Sequence, residues 1–399
     1  MQQTPLAPEL PDLGNTRIAF AAKSDRGLLQ AFWLFRVIGD PTLTAIGSTL
    51  TKVAMALRLP IKGLVKATIF KQFCGGETVE ESMATARELA ASGIGTILDY
   101  SVEGLDDEAS LDATTEEVLH AITMAKGNTH IPFAVFKPTG IARTELLERV
   151  SSGAALDARD GQEWERVQQR FDRICEAAHN ARTPVLVDAE ESWLQAAIDG
   201  LVEHAMKRWN RDRPIVFNTI QLYRHDRLAF LRKCLAQADA DGHHLGLKLV
   251  RGAYMEKERA RADEQGLPDP IQPDKAASDR DYDAALALCL SRIDRIAVMA
   301  GTHNEASTLH LARLMHAHGI ARNNERVWSA QLLGMSDNIS FNMAAAGYNV
   351  AKYVPYGPVR KVLPYLIRRA NENTSARGQT GRELGLIIAE RRRRREAGR

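Results

Sequence analysis

From residue 94 onward the chain alternates short apolar runs with longer stretches of helical periodicity. The runs are IGTILDY (94–100), IPFAVFK (131–137), PVLVDAEE (184–191), PIVFNTIQ (214–221), LGLKLVRG (245–252), RIAVMAGTHN (295–304), RVWSAQLLG (326–334) and NVAKYVPYG (349–357). Most are nearly continuous in Val, Ile and Leu, as parallel strands covered on both faces require. The pieces between them read as helices. In TVEESMATARELAASG, for instance, Met83, Ala86, Leu89 and Ala90 form one stripe and Gly93 closes it. Eight strand–helix units predict an α/β fold, a (βα)8 TIM-like barrel. An open doubly wound sheet is the alternative, but no GxGxxG follows the first strand to support it.

The same pattern divides the chain. Residues 1–93 form an N-terminal helical region, 94–380 the barrel with a helical insertion at 141–180, and 381–399 a basic tail. That tail, ERRRRREAGR, reads as a solvated helix end. The most apolar stretch, residues 28–70, is broken by Arg36, Asp40, Pro41, Lys52, Arg58 and Pro60, too soon for the roughly 20 apolar residues of a membrane span. The first residues lack the basic and apolar regions of a secretory signal. Charge is nearly balanced, 52 Lys+Arg against 50 Asp+Glu, which argues against a general nucleic-acid binder. Cys74, Cys175, Cys234 and Cys289 lie far apart and read as reduced core residues.

Polar residues within the runs gather at one end. Asp99, Lys137, Asp188, Gln221, Arg251, His303 and Tyr353 fall at or near the C-terminal ends of their strands, where barrels build active sites. Polarity returns at any strand end, so it is the seven together that point to a site. In LGLKLVRGAY, Lys248 and Arg251 interrupt an apolar strand. Buried cations in a strand face something anionic or electron-rich or point out of the barrel mouth, and the plainer alternative is a structural ion pair for which Asp188 is a candidate partner. Gly252 permits a ligand to approach the backbone. In VLPYLIRRANENTS, Leu363, Leu366, Ile367 and Ala370 share one helix face, with Arg368, Arg369 and Glu372 off it. Alone this is a surface helix with an Arg–Glu pair. Directly after the eighth strand, its two guanidinium forks suit a small carboxylate. A Schiff base on Lys137 or Lys248 is the rival chemistry.

LKLVRGAYMEKER, AGTHN, QLLGMSDNISF and YNVAKYVPYGPVRKVLPYLIRRANENTS resemble the motifs of the proline dehydrogenases, FAD-dependent enzymes that oxidise L-proline. The likeness runs in strand order from about residue 70 to 375, and YVPYGP is similar to the eukaryotic-type branch. The resemblance implies a (βα)8 barrel whose eighth helix sits over the mouth. It implies that Lys248 lies near the reactive flavin nitrogen and Arg251 beside the cofactor. Gly252 and Ala253 would line it as backbone, and Gln221, Thr302, His303 and Asn304 would contact it. For the substrate it implies a carboxylate clamp of Lys137, Arg368 and Arg369. Leu249, Tyr254 and Tyr353 would pack on the pyrrolidine ring, with Asp188 at the site floor and Glu372 beside the clamp. Glu103 would pair with Arg368 as a gate. Many bacterial members carry Arg where Lys248 stands, and an ammonium keeps the charge but lacks the planar fork.

The activity so implied is oxidation of L-proline to Δ1-pyrroline-5-carboxylate by hydride transfer to non-covalent FAD, in proline catabolism. Lys137, Asp188, Lys248, Tyr353, Arg368 and Arg369 are the expected catalytic residues. The electrons would pass to a quinone, with the protein cytoplasmic or peripheral on an inner membrane. The position of Tyr353 is small in hydroxyproline-preferring relatives, so proline is the expected substrate. The readings outside this class are the Schiff-base lyase and a non-catalytic protein binding an anionic partner, which salt would dissociate.

Overall fold

The computed structural model describes residues 10–40, 42–44, 47, 49, 62–102, 106–375 and 377–398, with side chains described throughout except at 64 and 369–380. Each apolar run yields one strand: β1 (Ile94–Tyr100), β2 (Phe133–Phe136), β3 (Val185–Val187), β4 (Val216–Gln221), β5 (Leu245–Val250), β6 (Ile296–Gly301), β7 (Val327–Leu332) and β8 (Val350–Tyr356). They pair in parallel and in sequence order, and β8 closes on β1. Most strands are shorter than their runs because the flanking prolines and charged residues leave the ladder.

The helices are α1 (Asp25–Ile38), α2 (Val79–Ala90), α3 (Glu108–Ala125), α4 (Thr144–Ser151), α5 (Ala158–Ala181), α6 (Ser192–Trp209) and α7 (Arg227–Asp241). After β5 come α8 (Met255–Gln265), α9 (Lys275–Ser291), α10 (Glu305–Ala317), α11 (Asp337–Ala345), α12 (Val359–Ser375) and α13 (Arg377–Ala397). Their starts are written in the sequence. Ser24, Thr78, Asp107, Asp157, Asp274 and Asn304 each cap a helix by accepting from the N–H three residues on.

Strand alternation sorts the core into two. Ile97, Phe133, Val135, Leu186, Phe217, Met299, Ala330 and Tyr353 fill the barrel interior. Leu98, Ala134, Val187, Ile220, Leu247, Leu249, Val298 and Val354 face the helices. Gly246 belongs to the inward set, and a Cβ there would stand 2.5 Å from the Phe217 ring.

Two expectations change. The segment 141–180 is not wholly an insertion. It holds α4 and α5, and α5 packs along α3 as the helix that a β2–β3 crossover needs, so only α4 is extra. The basic tail is not a frayed end. In α13, Leu386 and Ile387 are buried in a cluster with Leu28 and Phe35 of α1 and Val362 and Leu366 of α12. Glu390, fully enclosed, pairs with Arg393 at 2.8 Å and Arg394 at 2.7 Å. The apolar LGLII within the tail seats the helix, and the arginines lie along its flank.

Candidate active site

The barrel mouth carries alternating charge. Asp99 is inward near the end of β1, and Lys137 directly follows β2. Their side chains meet at 3.2 Å, with Ser101 Oγ donating to Asp99 at 2.7 Å. Asp188 directly follows β3 and pairs with Lys248, which projects inward from β5. Lys248 Nζ also donates to the Tyr353 hydroxyl at 2.9 Å, so the phenol reaches across the interior from β8 to β5. Burial and the Asp188 and Asp99 carboxylates hold that phenol's pKa well above its usual range, and it stays neutral. The ion pair to Asp188, the plainer alternative for Lys248, is therefore present. It lies at the barrel mouth, where catalytic groups belong.

A second group lines the β4–β6 side. Gln221 closes β4, donating from Nε2 to Glu190 O at 2.7 Å. Its Oε1 is buried and has no partner among the described residues. Arg251 bonds Asp279 at 2.6 Å, Thr302 Oγ1 at 3.0 Å and Ser307 Oγ at 2.9 Å, and lies 4.4 Å over the Tyr282 ring. His303 Nδ1 meets Ser336 Oγ at 2.8 Å. Gly252 and Ala253 are exposed at the end of β5. At Gly252 φ is 153°, and a Cβ would lie 2.3 Å from the Tyr223 ring, so that ring alone already demands glycine. Asn304 spends its side-chain oxygen on the α10 cap.

Helix α12 follows β8 and buries Val362, Leu363 and Leu366. Its Arg368 guanidinium stands 5.8 Å over the ring of Tyr254, which follows β5, so the helix and the β5 loop meet across the mouth. Arg369 and Glu372 lie on α12 with side chains outside the described residues, and Glu103 is outside them altogether. Leu249 is a correction. It neighbours inward-facing Lys248, so strand alternation turns it outward, where it is wholly buried against the helices and out of reach of a ligand in the barrel.

Sequence reasoning passes over Glu190. The residue follows β3 and accepts from Thr139 N at 3.1 Å and Thr139 Oγ1 at 2.7 Å. Burial raises its carboxyl to about 7 against the pull of those bonds. The run PVLVDAEE held it, but the partners of its carboxyl and backbone carbonyl, Thr139 and Gln221, lie 51 and 31 residues away. Asp99 was noted as a strand-end residue, and its partnership with Lys137 shows in three dimensions only.

A barrel whose mouth gathers two lysine–aspartate pairs, a neutral phenol and an arginine-bearing helix defines an enzyme for a small charged substrate. Residues 82–382 match the sequence profile of the proline dehydrogenases. The chain is 38% identical over 320 residues to the carbapenem antibiotics biosynthesis protein CarD of Pectobacterium carotovorum, spanning 80% of this chain and 82% of that protein. It is 31% identical to mitochondrial proline dehydrogenase 1 of Dictyostelium discoideum, over 91% of this chain and 71% of that one. Identity to bovine hydroxyproline dehydrogenase is 32%, over 94% and 92% of the two chains. The crystal structure of proline utilization A from Bdellovibrio bacteriovorus inactivated by N-propargylglycine has the same fold, with a TM-score of 0.71 at 18% identity. It covers 90% of this chain, which spans only 38% of that longer one. The chain belongs to the proline dehydrogenase family. It is an oxidoreductase of proline catabolism, in a family whose enzymes work with a flavin.

The residues present fit such a group. Gln221 Oε1 offers a buried acceptor, without a described partner, to a ring N–H. Among the described residues Lys248 uses two of its three donors, on Asp188 and Tyr353, and the third suits an acceptor nitrogen of a flavin ring.

Proposed function

We propose that the chain oxidises L-proline to Δ1-pyrroline-5-carboxylate with non-covalent FAD, held between Gln221, Lys248, Arg251, Thr302 and His303. The observation that carries this reading is a pair of polar valences without a partner among the described residues, Oε1 of Gln221 at the end of β4 and one donor of Lys248. Bound FAD would accept the hydride that leaves the ring carbon beside nitrogen. The chain itself orients the substrate. Lys137, Arg368 and Arg369 take the carboxylate, Tyr254 and Tyr353 bound the ring, and Asp188 holds the Lys248 ammonium in place. Loss of hydride needs the nitrogen lone pair, so proline must react as the neutral amine. The cations at the mouth disfavour a protonated nitrogen there by repulsion.

The electrons then leave to a membrane quinone, and the protein docks peripherally to reach it. Support comes from the outer face of α1. Leu29, Trp33 and Val37, spaced four residues apart, are 41%, 56% and 45% exposed, and Ile388 of the adjoining α13 is 49% exposed. Arg36 lies 5.8 Å over Trp33 and Arg391 4.7 Å over Phe32, with Arg392 and Arg395 exposed beside them. Apolar side chains rimmed by arginine suit the interface of an anionic bilayer. Among the described residues no helix is long and apolar enough to cross one.

Proline is the favoured substrate over trans-4-hydroxyproline. The Tyr353 phenol is enclosed and tied to Lys248, so an added ring hydroxyl meets an aromatic wall. An unpaired buried hydroxyl costs about 1–3 kcal/mol, so the specificity constant should favour proline at least about tenfold. Tyr353→Ser should narrow the gap, chiefly by losing proline activity. Equal use of both substrates by the unmodified enzyme would count against Tyr353 facing the ring.

A further inference from the structure

Helix α13 reaches the turn between β7 and α11 at one point and the start of α10, directly after the β6 loop, at another. The Glu383 carboxylate, buried beneath it, accepts from the backbone N–H of Ser336. Ser336 precedes α11 at φ 49° and ψ 43°, a left-handed conformation that a non-glycine residue holds only when its surroundings fix it. Its Oγ meets His303 Nδ1 at 2.8 Å. One residue before Glu383, Arg382 forks onto Glu305 at 2.9 and 3.2 Å, in the first turn of α10. Asn338 Nδ2 of α11 holds the same Glu305 at 2.8 Å. Gln331 adds a third tie, donating to Thr302 O at 3.1 Å while accepting from Ser340 at 2.8 Å. The segment 302–305 is thus fastened from α11 and α13 together.

The Glu383 carboxyl is an expensive device for helix packing alone. Burial and the Asp337 charge raise it to about 7, and the Ser336 N–H and Lys352 oppose that shift. A leucine or methionine would close the same cluster of Leu386, Ile387 and their neighbours without a buried acid. Its use is the hydrogen bond it accepts at the strained turn.

We propose that α13 is a clamp on the cofactor loop, acting through Glu383 on Ser336 and through Arg382 on Glu305 to fix His303 and Thr302 for the flavin. The inference rests on the assignment of His303 and Thr302 to flavin contacts. Glu383 and Arg382 are positioning residues, since neither touches the cofactor side of the loop. Loss of the clamp removes one fixed support of the Ser336 turn that bonds the imidazole, while the carboxylate clamp of Lys137 and Arg368 stays as it was. The effect should therefore fall on flavin affinity and flavin potential, and not on the KM for proline.

The test is a fluorescence titration of deflavinated full-length protein with FAD, beside the midpoint potential of the bound flavin. Glu383→Ala should weaken FAD binding at least about tenfold, the loss of one charge-assisted hydrogen bond. Glu383→Gln keeps an acceptor oxygen and should recover most of that affinity. Ser336→Ala removes only the hydroxyl on His303 and should shift the potential with α13 untouched. The KM for proline should stay within about twofold in each variant that retains flavin. A role in packing alone predicts lower melting temperatures with FAD affinity and potential unchanged. Wild-type affinity and potential in both Glu383→Ala and Ser336→Ala would overturn the clamp. If Glu383→Ala does not fold, Ser336→Ala and Arg382→Ala decide by the same readouts. A wild-type chain that binds no FAD would overturn the flavin assignment and the clamp with it, an outcome distinct from wild-type binding that the variants fail to change.

Discussion

Two lysines stand on strands of one barrel and face opposite ways. Lys352 points outward from β8 into the helix layer and is fully enclosed. Its three donors go to Leu332 O at 3.3 Å, Met335 O at 2.5 Å and Asp337 Oδ1 at 2.8 Å. Lys248 points inward from β5 and is nearly as buried, yet its acceptors among the described residues are two, Asp188 and the Tyr353 hydroxyl. An ammonium has three N–H groups. One lysine has all three donors met by the protein, and the other has one donor without an acceptor among the described residues, which the proposed function gives to the flavin. Burial and an aspartate partner do not separate a structural lysine from a chemical one. The tally of acceptors does, together with the side of the strand.

The sharpest way to break this contrast is to remove each ammonium in turn. Lys352→Met leaves Asp337 buried with Lys23, at 3.3 Å, as its only cation among the described residues, and should cost about 3–5 kcal/mol of stability. Lys248→Met leaves Asp188 at the more open mouth, so the fold should survive with a smaller loss in the same denaturant titration. Its turnover with proline should drop by about two orders of magnitude, as one transition-state contact implies. Equal destabilisation by the two variants, with activity retained in Lys248→Met, would remove the distinction.

Arg368→Ala and Arg369→Ala sharpen it on the substrate side. Each should lower kcat/KM for proline one to two orders of magnitude, the cost of a charge-assisted bond at about 1.5–3 kcal/mol. Flavin content should hold. Normal kinetics for both would return α12 to the ordinary surface helix its composition permits.

The smallest effect is in pH. The Glu190 carboxyl lies near 7 when folded and in the ordinary carboxylate range when unfolded, so the folded state alone holds its proton between pH about 4.5 and 7. Stability therefore falls as pH rises through that window, because there the folded state binds more protons. Glu190→Gln should match the wild type near pH 5 and exceed it above pH 7 by on the order of 1–3 kcal/mol. Urea unfolding midpoints across that range read the difference. Glu383, raised for the same reason, leaves part of the slope in place.

The barrel was legible because both faces of its strands are buried, which gives eight nearly continuous apolar runs alternating with helices. Which strand residues look inward was less so. In a run apolar on both sides, Leu247 and Leu249 read like core anywhere, and only Lys248 between them marks the parity. Leu249 was assigned to the ring by resemblance, and geometry sends it to the helix layer. The mouth residues were legible as polar breaks at strand ends, but their pairings were not. Lys137 finds Asp99 and Lys248 finds Asp188 across 38 and 60 residues of chain, separations bridged by the pairing of β1 with β2 and of β3 and β5 with the β4 between them. Helix α13 escaped notice because its arginines outweigh the few apolar residues that seat it. Glu383 is invisible in a sequence dense with surface glutamates.

The central claim, a flavin at the mouth reduced by proline, is tested most directly by the visible spectrum of the purified protein under anaerobic conditions. The flavin bands should be present, should bleach when L-proline is added, and should pass to the supernatant on acid precipitation. A colourless protein after reconstitution with FAD, or a flavin spectrum that L-proline leaves unchanged, would contradict it.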